Sequence, residues 1–270
     1  MLRKIGALIL SIPLTALSAH AHDAWIEVHQ TAAETAETSH EAAFFIGHAD
    51  DLSHYALTAA RVSSLTLHNP GGNHHFLQEL ADFSRGDSIS FSTSAAPQIL
   101  SLTTFRAQIE LESETFNEYA AEEGITPILQ TRVEDGALDT PGTETYSRFL
   151  KALVMPDSVT TCDTEFIRQP IGHILEIIPL TNPEPGCSDV LDFQLLYFGE
   201  PLANATLHFN RTDESLDPVK LPTDENGLVS FPRPEAGVWY IHAAWAMPVD
   251  SEVYGADFAT SFASLSFVLD

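Results

Sequence analysis

The chain has 270 residues, with 38 Asp plus Glu against 12 Lys plus Arg and a formal net charge of −26 at pH 7. That charge repels phosphate backbones, so nucleic acid is excluded as an expected partner. The same field attracts cations, and it also serves plain solubility.

Arg3 and Lys4 precede an uncharged, mostly apolar run from Ile5 to Leu17, and Ala19-His20-Ala21 follows with small residues at both positions a signal peptidase reads. This is the layout of a secretory signal, residues 1–21, cleaved after Ala21. The run is too short to span a bilayer, and no later stretch is long and apolar enough to do so. A buried N-terminal helix is the competing reading. The expected product is periplasmic, not membrane-embedded, and begins at His22. Cys162 and Cys187 are the two cysteines of the chain. An even count in an exported protein points to one disulfide, with free thiols as the alternative. No C-x-x-C pair suggests a cysteine metal site.

Beyond the signal, strand patterns dominate. "DAWIEVHQ" alternates, with Ala24, Ile26 and Val28 on one side and Trp25 and Glu27 on the other. "EAAFFIGHAD", "RVSSLTLHN", "DSISFSTS" and "QILSLTTFRAQIELE" are strand-like, and "PGGN" is a turn. "ESETFNEYAAEEG" predicts a helix with Ser113 as N-cap and Gly124 as stop, and "TPILQTRVEDG" predicts a second short one. "TYSRFLKALVM" returns to a strand. After Cys162, "HILEIIPL", "VLDFQLLY", "ATLHF", "GVWYIHAAW" and "SFASLSFVL" read as strands. Turns are expected at Gly199-Glu200-Pro201 and at Asn226-Gly227. The pattern predicts a mainly β fold: two β-sandwich-like domains, residues 22–165 and 166–270, with a short helical insertion near 113–133.

Four pieces carry a resemblance. They are "AHAHDAWIEV", then "FNEYAAEEG" with "ETYSRFLKALV", then "IIPLTNPEPG" with "LDFQLLYFGEPLANATL", and last "TDENGLVSFPRPEAGVWYIHAAW" with "SFASLSF". In this order they resemble an exported bacterial family labelled the periplasmic component of a cobalt or nickel uptake system, otherwise a domain of unknown function. The last two also resemble immunoglobulin-like or prealbumin-like modules, in which they mark hairpins. The resemblance implies a two-part, β-rich periplasmic protein that handles transition-metal ions for a membrane uptake system, an inner- or outer-membrane transporter. One departure stands in the strand after "GVW", where the family carries a His and this chain has Ala244, Trp245 and Ala246, with His242 earlier.

Histidine is the residue type whose pattern points to chemistry. His22 at a mature terminus would own two nitrogen donors, its α-amine and its ring, and imidazole suits copper, nickel and zinc. His22 sits beside Asp23. His48 lies with Asp50, Asp51 and His54, and His68, His74 and His75 bracket the "NPGGN" turn. His242 lies on a strand whose face it shares with Tyr240 and Ala244, where a satisfied core histidine competes with a ligand. His29, His40, His173 and His208 look isolated, as structural or solvent-facing residues. The candidate metal ligands are therefore His22, His48 and His242, for a divalent nickel, cobalt, zinc or copper ion.

No H-E-x-x-H, G-x-S-x-G, phosphate loop or dinucleotide fingerprint is present, and the resemblance to a transport-associated family implies a protein that is not an enzyme. The expected function is that of a periplasmic metal-binding accessory protein. A non-catalytic binding or structural module is the alternative. A copper-dependent polysaccharide monooxygenase, which also begins with a mature His on a β-sandwich, is a further one.

Overall fold

The computed structural model describes residues 23–31, 38–47, 53–76, 88–93, 96–155, 162, 165–212 and 218–269. In chain order the strands of the first half are β1 (Ala24–Thr31), β2 (Thr38–Ile46), β3 (Ser53–His54), β4 (Val62–His68), β5 (His74–His75), β6 (Ser88–Thr93), β7 (Gln98–Thr104) and β8 (Ala107–Leu111). Two helices follow, α1 (Ser113–Glu122) and α2 (Thr126–Glu134), and then the long strand β9 (Gly142–Val154). The second half holds β10 (Leu175–Pro179), β11 (Val190–Tyr197), β12 (Glu200–Pro201), β13 (Thr206–Arg211), β14 (Val219–Pro222), β15 (Leu228–Pro232), β16 (Gly237–Pro248), the one-turn α3 (Ser251–Tyr254) and β17 (Phe258–Leu269). The fold is mainly β with a short helical insertion, as the alternating patterns predict.

A nine-stranded sheet forms the middle layer, in the order β14-β13-β16-β17-β9-β7-β4-β5, with β8 also pairing β9. It draws strands from both sides of position 165, and β17 runs parallel to β9 across that division. Alternation along each strand sends side chains to opposite faces. On one face Leu207, Phe209, Ile241, Ala243, Leu265 and Phe267 meet Ile177, Leu191, Phe193, Leu195, Val229 and Phe231 of the small sheet β10-β11-β12 with β15. On the other face, Leu65, Leu100, Leu102, Leu150 and Ala152 meet Ile26, Ala42, Phe44 and Ile89 of the sheet β1-β2-β3 with β6. Further along that second face, Ala244, Ala246 and Phe258 lie beneath Phe116, Ala120, Ile125 and Ile128 of the helical insertion. The N-terminal sheet and the helices therefore cover neighbouring parts of one face, and the candidate site sits where they meet.

Local chemistry accounts for the element ends, with some differences from expectation. Ser113 is the first helical residue of α1 rather than its cap; Glu112 occupies the cap and makes no side-chain capping bond. Gly124 ends the helix as expected, with φ +71, the left-handed conformation glycine adopts without strain. Gly142 lets α1 approach β9, because a Cβ there would lie 2.1 Å from Phe116 Cδ1. The reversal after β11 falls at Phe198-Gly199, both with positive φ, one residue earlier than the turn residues suggest. At Asn226-Gly227 the Asp224 carboxylate accepts from the amides of Asn226 and Leu228, both at 2.8 Å. That turn carries the chain from β14 in one sheet to β15 in another, so it is a crossover between layers and not a hairpin. Trp25, on the side of β1 opposite Ala24, Ile26 and Val28, is 1% exposed and stacks on Tyr240 with ring centroids 4.4 Å apart. Cys162 and Cys187 form the expected disulfide, with Cα atoms 5.3 Å apart. No helix among the described residues is long and apolar enough to cross a membrane.

Candidate metal centre

Three side chains from distant parts of the chain converge on the second face of the middle sheet. His208 of β13 and His242 of β16 are direct cross-strand partners, so they share a face. Their rings stack with centroids 4.3 Å apart. Glu123 reaches them from the C-cap of α1. Gly124 sets that approach, since a Cβ there would lie 2.4 Å from Thr206 Oγ1, the residue two before His208 on the same face. One ligand atom from each of Glu123, His208 and His242 lies within 4.8 Å of the others, and all three residues are buried.

The hydrogen bonding of this cluster is incomplete in a specific way. Glu123 Oε2, His208 Nε2 and His242 Nε2 are each buried without a hydrogen-bond partner. The 3.3 Å contact between His242 Nε2 and Glu123 Oε2 is within ion-pair reach, but it is not aligned as a hydrogen bond. Buried polar atoms left unpaired cost on the order of 1–3 kcal/mol each, so three facing one another need an explanation.

The opposite edges of both imidazoles are held. His242 Nδ1 lies 3.1 Å from Asp23 Oδ2, at the entrance to β1. Asp23 also accepts from the Tyr240 hydroxyl at 3.0 Å, and its main-chain oxygen accepts from the Gly47 amide at 2.9 Å. The His208 ring lies within reach of the main-chain carbonyl of Glu123, which favours its protonated form. A carboxylate or carbonyl on one ring nitrogen fixes the tautomer and aims the other nitrogen, the arrangement typical of metal-ligating histidines.

Charge in the cluster follows the same geometry. Burial pulls His242 towards the neutral form, but the Asp23 and Glu123 carboxylates outweigh it and raise its pKa above the ordinary histidine value. Burial, with His242 beside it, pushes His208 down to about 3. Burial would raise Glu123, yet the neighbouring His242 brings it below the usual carboxylate range. Burial and Asp23 raise the Tyr240 hydroxyl far above the usual tyrosine value. The cluster thus sets one imidazole that its surroundings favour as neutral beside one whose charged form two carboxylates favour. A divalent cation would bring positive charge to the Glu123 carboxylate and engage all three donor atoms.

The donor set of two imidazoles and one carboxylate suits borderline N- and O-preferring metals such as zinc, nickel, cobalt, copper(II) or iron(II). Thiolate ligation is absent, because both cysteines are tied in the disulfide. Donors 2.0–2.2 Å from one ion sit about 3–4 Å apart; His242 Nε2 and Glu123 Oε2, 3.3 Å apart, already have that spacing.

Of the ligands expected from sequence, His242 is in the cluster. His22 and His48 lie outside the described residues. His208 was expected to be an isolated structural or solvent-facing residue, and Glu123 was not singled out; both belong to the site. The signal for His208 was its alternation with Leu207 and Phe209, which puts it on the face opposite the core. Other histidines find different partners: His40 bonds Thr93 at 2.9 Å, His68 bonds Ser101 at 2.9 Å and His75 bonds Thr66 at 2.9 Å. The turn does bring His74 and His75 back against β4, but to hydroxyl and aromatic neighbours. His29 lies 3.3 Å from Glu27 on the surface.

A family model described as a domain of unknown function, DUF4198, matches residues 19–246. No curated protein matches the chain. Among solved structures, the Bacillus anthracis TIE protein aligns with 8% identity and a TM-score of 0.15, over 91% of this chain and 41% of that one. The chain thus spans less than half of that structure, and a likeness at this score carries no argument.

Proposed function

The chain belongs to the DUF4198 family, and from that premise we propose that it is a transition-metal-binding protein whose centre is Glu123, His208 and His242. The observation that carries this reading is the convergence of three buried donor atoms, none with a hydrogen-bond partner, two of them on imidazoles whose opposite edges are already in contact with a carboxylate or a carbonyl. Three protein ligands leave at least one coordination position for a further donor. His22 is the proposed source. It precedes Asp23 directly in the chain, and the Asp23 carboxylate touches His242. Cleavage after Ala21 would give His22 a free amine beside its ring. The biological role proposed is that of an exported accessory protein that binds nickel, cobalt, zinc or copper and serves a membrane uptake system. That role rests on the family resemblance of the quoted segments, and the disulfide is compatible with an oxidising compartment.

Titration of the mature chain with Co2+, read by its visible d–d absorption, tests the centre. One equivalent should bind to the wild type and none tightly to His208→Ala or Glu123→Gln. A wild-type titration curve in both variants, each checked for folding by circular dichroism, sinks the assignment. A mature chain extended by one residue before His22 tests the terminal donor separately; equal affinity removes His22 from the site and leaves the other three.

A further inference from the structure

The three donor atoms are buried, so an ion has to pass whatever closes the cluster towards solvent. Lys220 does so. It lies on β14, the edge strand of the nine-stranded sheet, directly opposite His208, and therefore on the face of His208 and His242. From there its side chain crosses to the end of α1. Its Nζ donates to the Glu122 main-chain oxygen at 3.1 Å and lies 4.0 Å from Glu122 Oε1. Glu122 is the last residue of α1 and the neighbour of the ligand Glu123. The Lys220 and Glu122 side chains are 39% and 67% exposed, whereas the three ligands behind them are buried. The Lys220 charge also acts on Glu123, His208 and His242.

We propose that Lys220 and Glu122 form the entry gate of the metal centre: Lys220 is a resident cation that closes the metal-free cluster, and Glu122 is the surface carboxylate that first receives the incoming ion. This rests on the metal-centre reading above. An ammonium beside the donors opposes a divalent cation by like charge. An exposed Lys–carboxylate contact is weak and opens readily, so the arriving ion takes Glu122 and frees the lysine arm. The ion then moves one residue inward, to Glu123. Since the metal and Lys220 compete for the same negative field, a bound metal loosens Lys220.

Stopped-flow mixing of the full mature protein with Co2+ at fixed ionic strength tests the gate. Lys220→Met should associate about three- to tenfold faster, the size of one screened like-charge interaction with a divalent ion, and the difference should shrink as salt is raised. Glu122→Gln should associate more slowly by a similar factor with little change at equilibrium. In the wild type, the rate at which an amine-acylating reagent modifies Lys220, read by mass spectrometry, should rise when Co2+ is bound. Association of Lys220→Met at or below the wild-type rate, or Lys220 reactivity unmoved by Co2+, overturns the gate. Wild-type protein that takes up no Co2+, or His208→Ala protein that takes it up equally well, fails the metal centre itself and the gate with it. Wild-type uptake that His208→Ala loses and Lys220→Met leaves unaltered in rate fails the gate alone.

Discussion

Asp23→Asn separates a supporting carboxylate from a merely structural one. Asp23 is 8% exposed and its Oδ2 serves two groups, the Tyr240 hydroxyl at 3.0 Å and His242 Nδ1 at 3.1 Å. An amide of the same shape with its oxygen at the Oδ2 position still accepts from both partners but carries no charge, so both contacts lose their charge assistance. Loss of one charge-assisted bond in a buried setting costs about 1.5–3 kcal/mol of stability. The effect on metal is separate. Without the carboxylate, His242 is less basic and its Nε2 is no longer aimed, and loss of such a supporting partner weakens metal binding by about 10–100-fold. Co2+ competition against a chelator of known affinity measures the second quantity, and urea unfolding of the metal-free protein measures the first. Lower stability with Co2+ affinity kept within twofold of wild type would refute the claim that Asp23 acts through a ligating His242.

Gly124→Ala, which alters no ligand, should weaken Co2+ binding and lower stability by about 1–3 kcal/mol, because the new Cβ meets Thr206 Oγ1 and the φ of +71 becomes strained; the same chelator competition and urea unfolding check it. Removing the disulfide with Cys162→Ser and Cys187→Ser should cost about 3.5 kcal/mol by the loop-entropy relation for a sequence separation of 25, seen as a lower urea midpoint. His173 supplies a pH signature away from the metal centre: burial, with Lys151 nearby, pushes its pKa down to about 3, from 6.5. The unfolded chain binds this proton and the folded one does not, so the contribution is full above about pH 6.5 and is lost as pH falls towards 3. Unfolding free energies of His173→Gln should therefore fall less steeply over that window, by up to about 1.4 kcal/mol per pH unit. Identical slopes for variant and wild type would exclude the buried neutral histidine.

Much of the architecture was legible because its causes are local. Alternation such as Leu207-His208-Phe209 or Ile241-His242-Ala243 marks strands whatever they pair with. Helix formers bounded by Gly124, with Pro127 in the first turn of α2, mark the insertion. The same local reading stops where a neighbouring layer decides. Alternation separates Trp25 from Ile26 on β1 but does not say that its side is covered too, by Tyr240 of the middle sheet. The Asn226-Gly227 turn is where the residues place it, but the hairpin that the resemblance to prealbumin-like modules implies is absent, because its flanking strands pair in different sheets.

The sequence by itself determined a mainly β protein with a helical insertion, a pair of cysteines able to bridge, and histidine as the residue type to follow. It brought His242 into consideration by placing it on a strand face with Tyr240 and Ala244. Only the tertiary structure decided that His208 stands opposite His242, that Glu123 closes over both from a helix end, and that Asp23 braces the pair from the start of β1. These contacts join positions 23, 123, 208 and 242. They depend on strand register, in which a shift of one residue sends every side chain to the other face. In a chain with 38 acidic residues, Glu123 carried no local mark of its role. Its distinction is where the cap of α1 comes to rest.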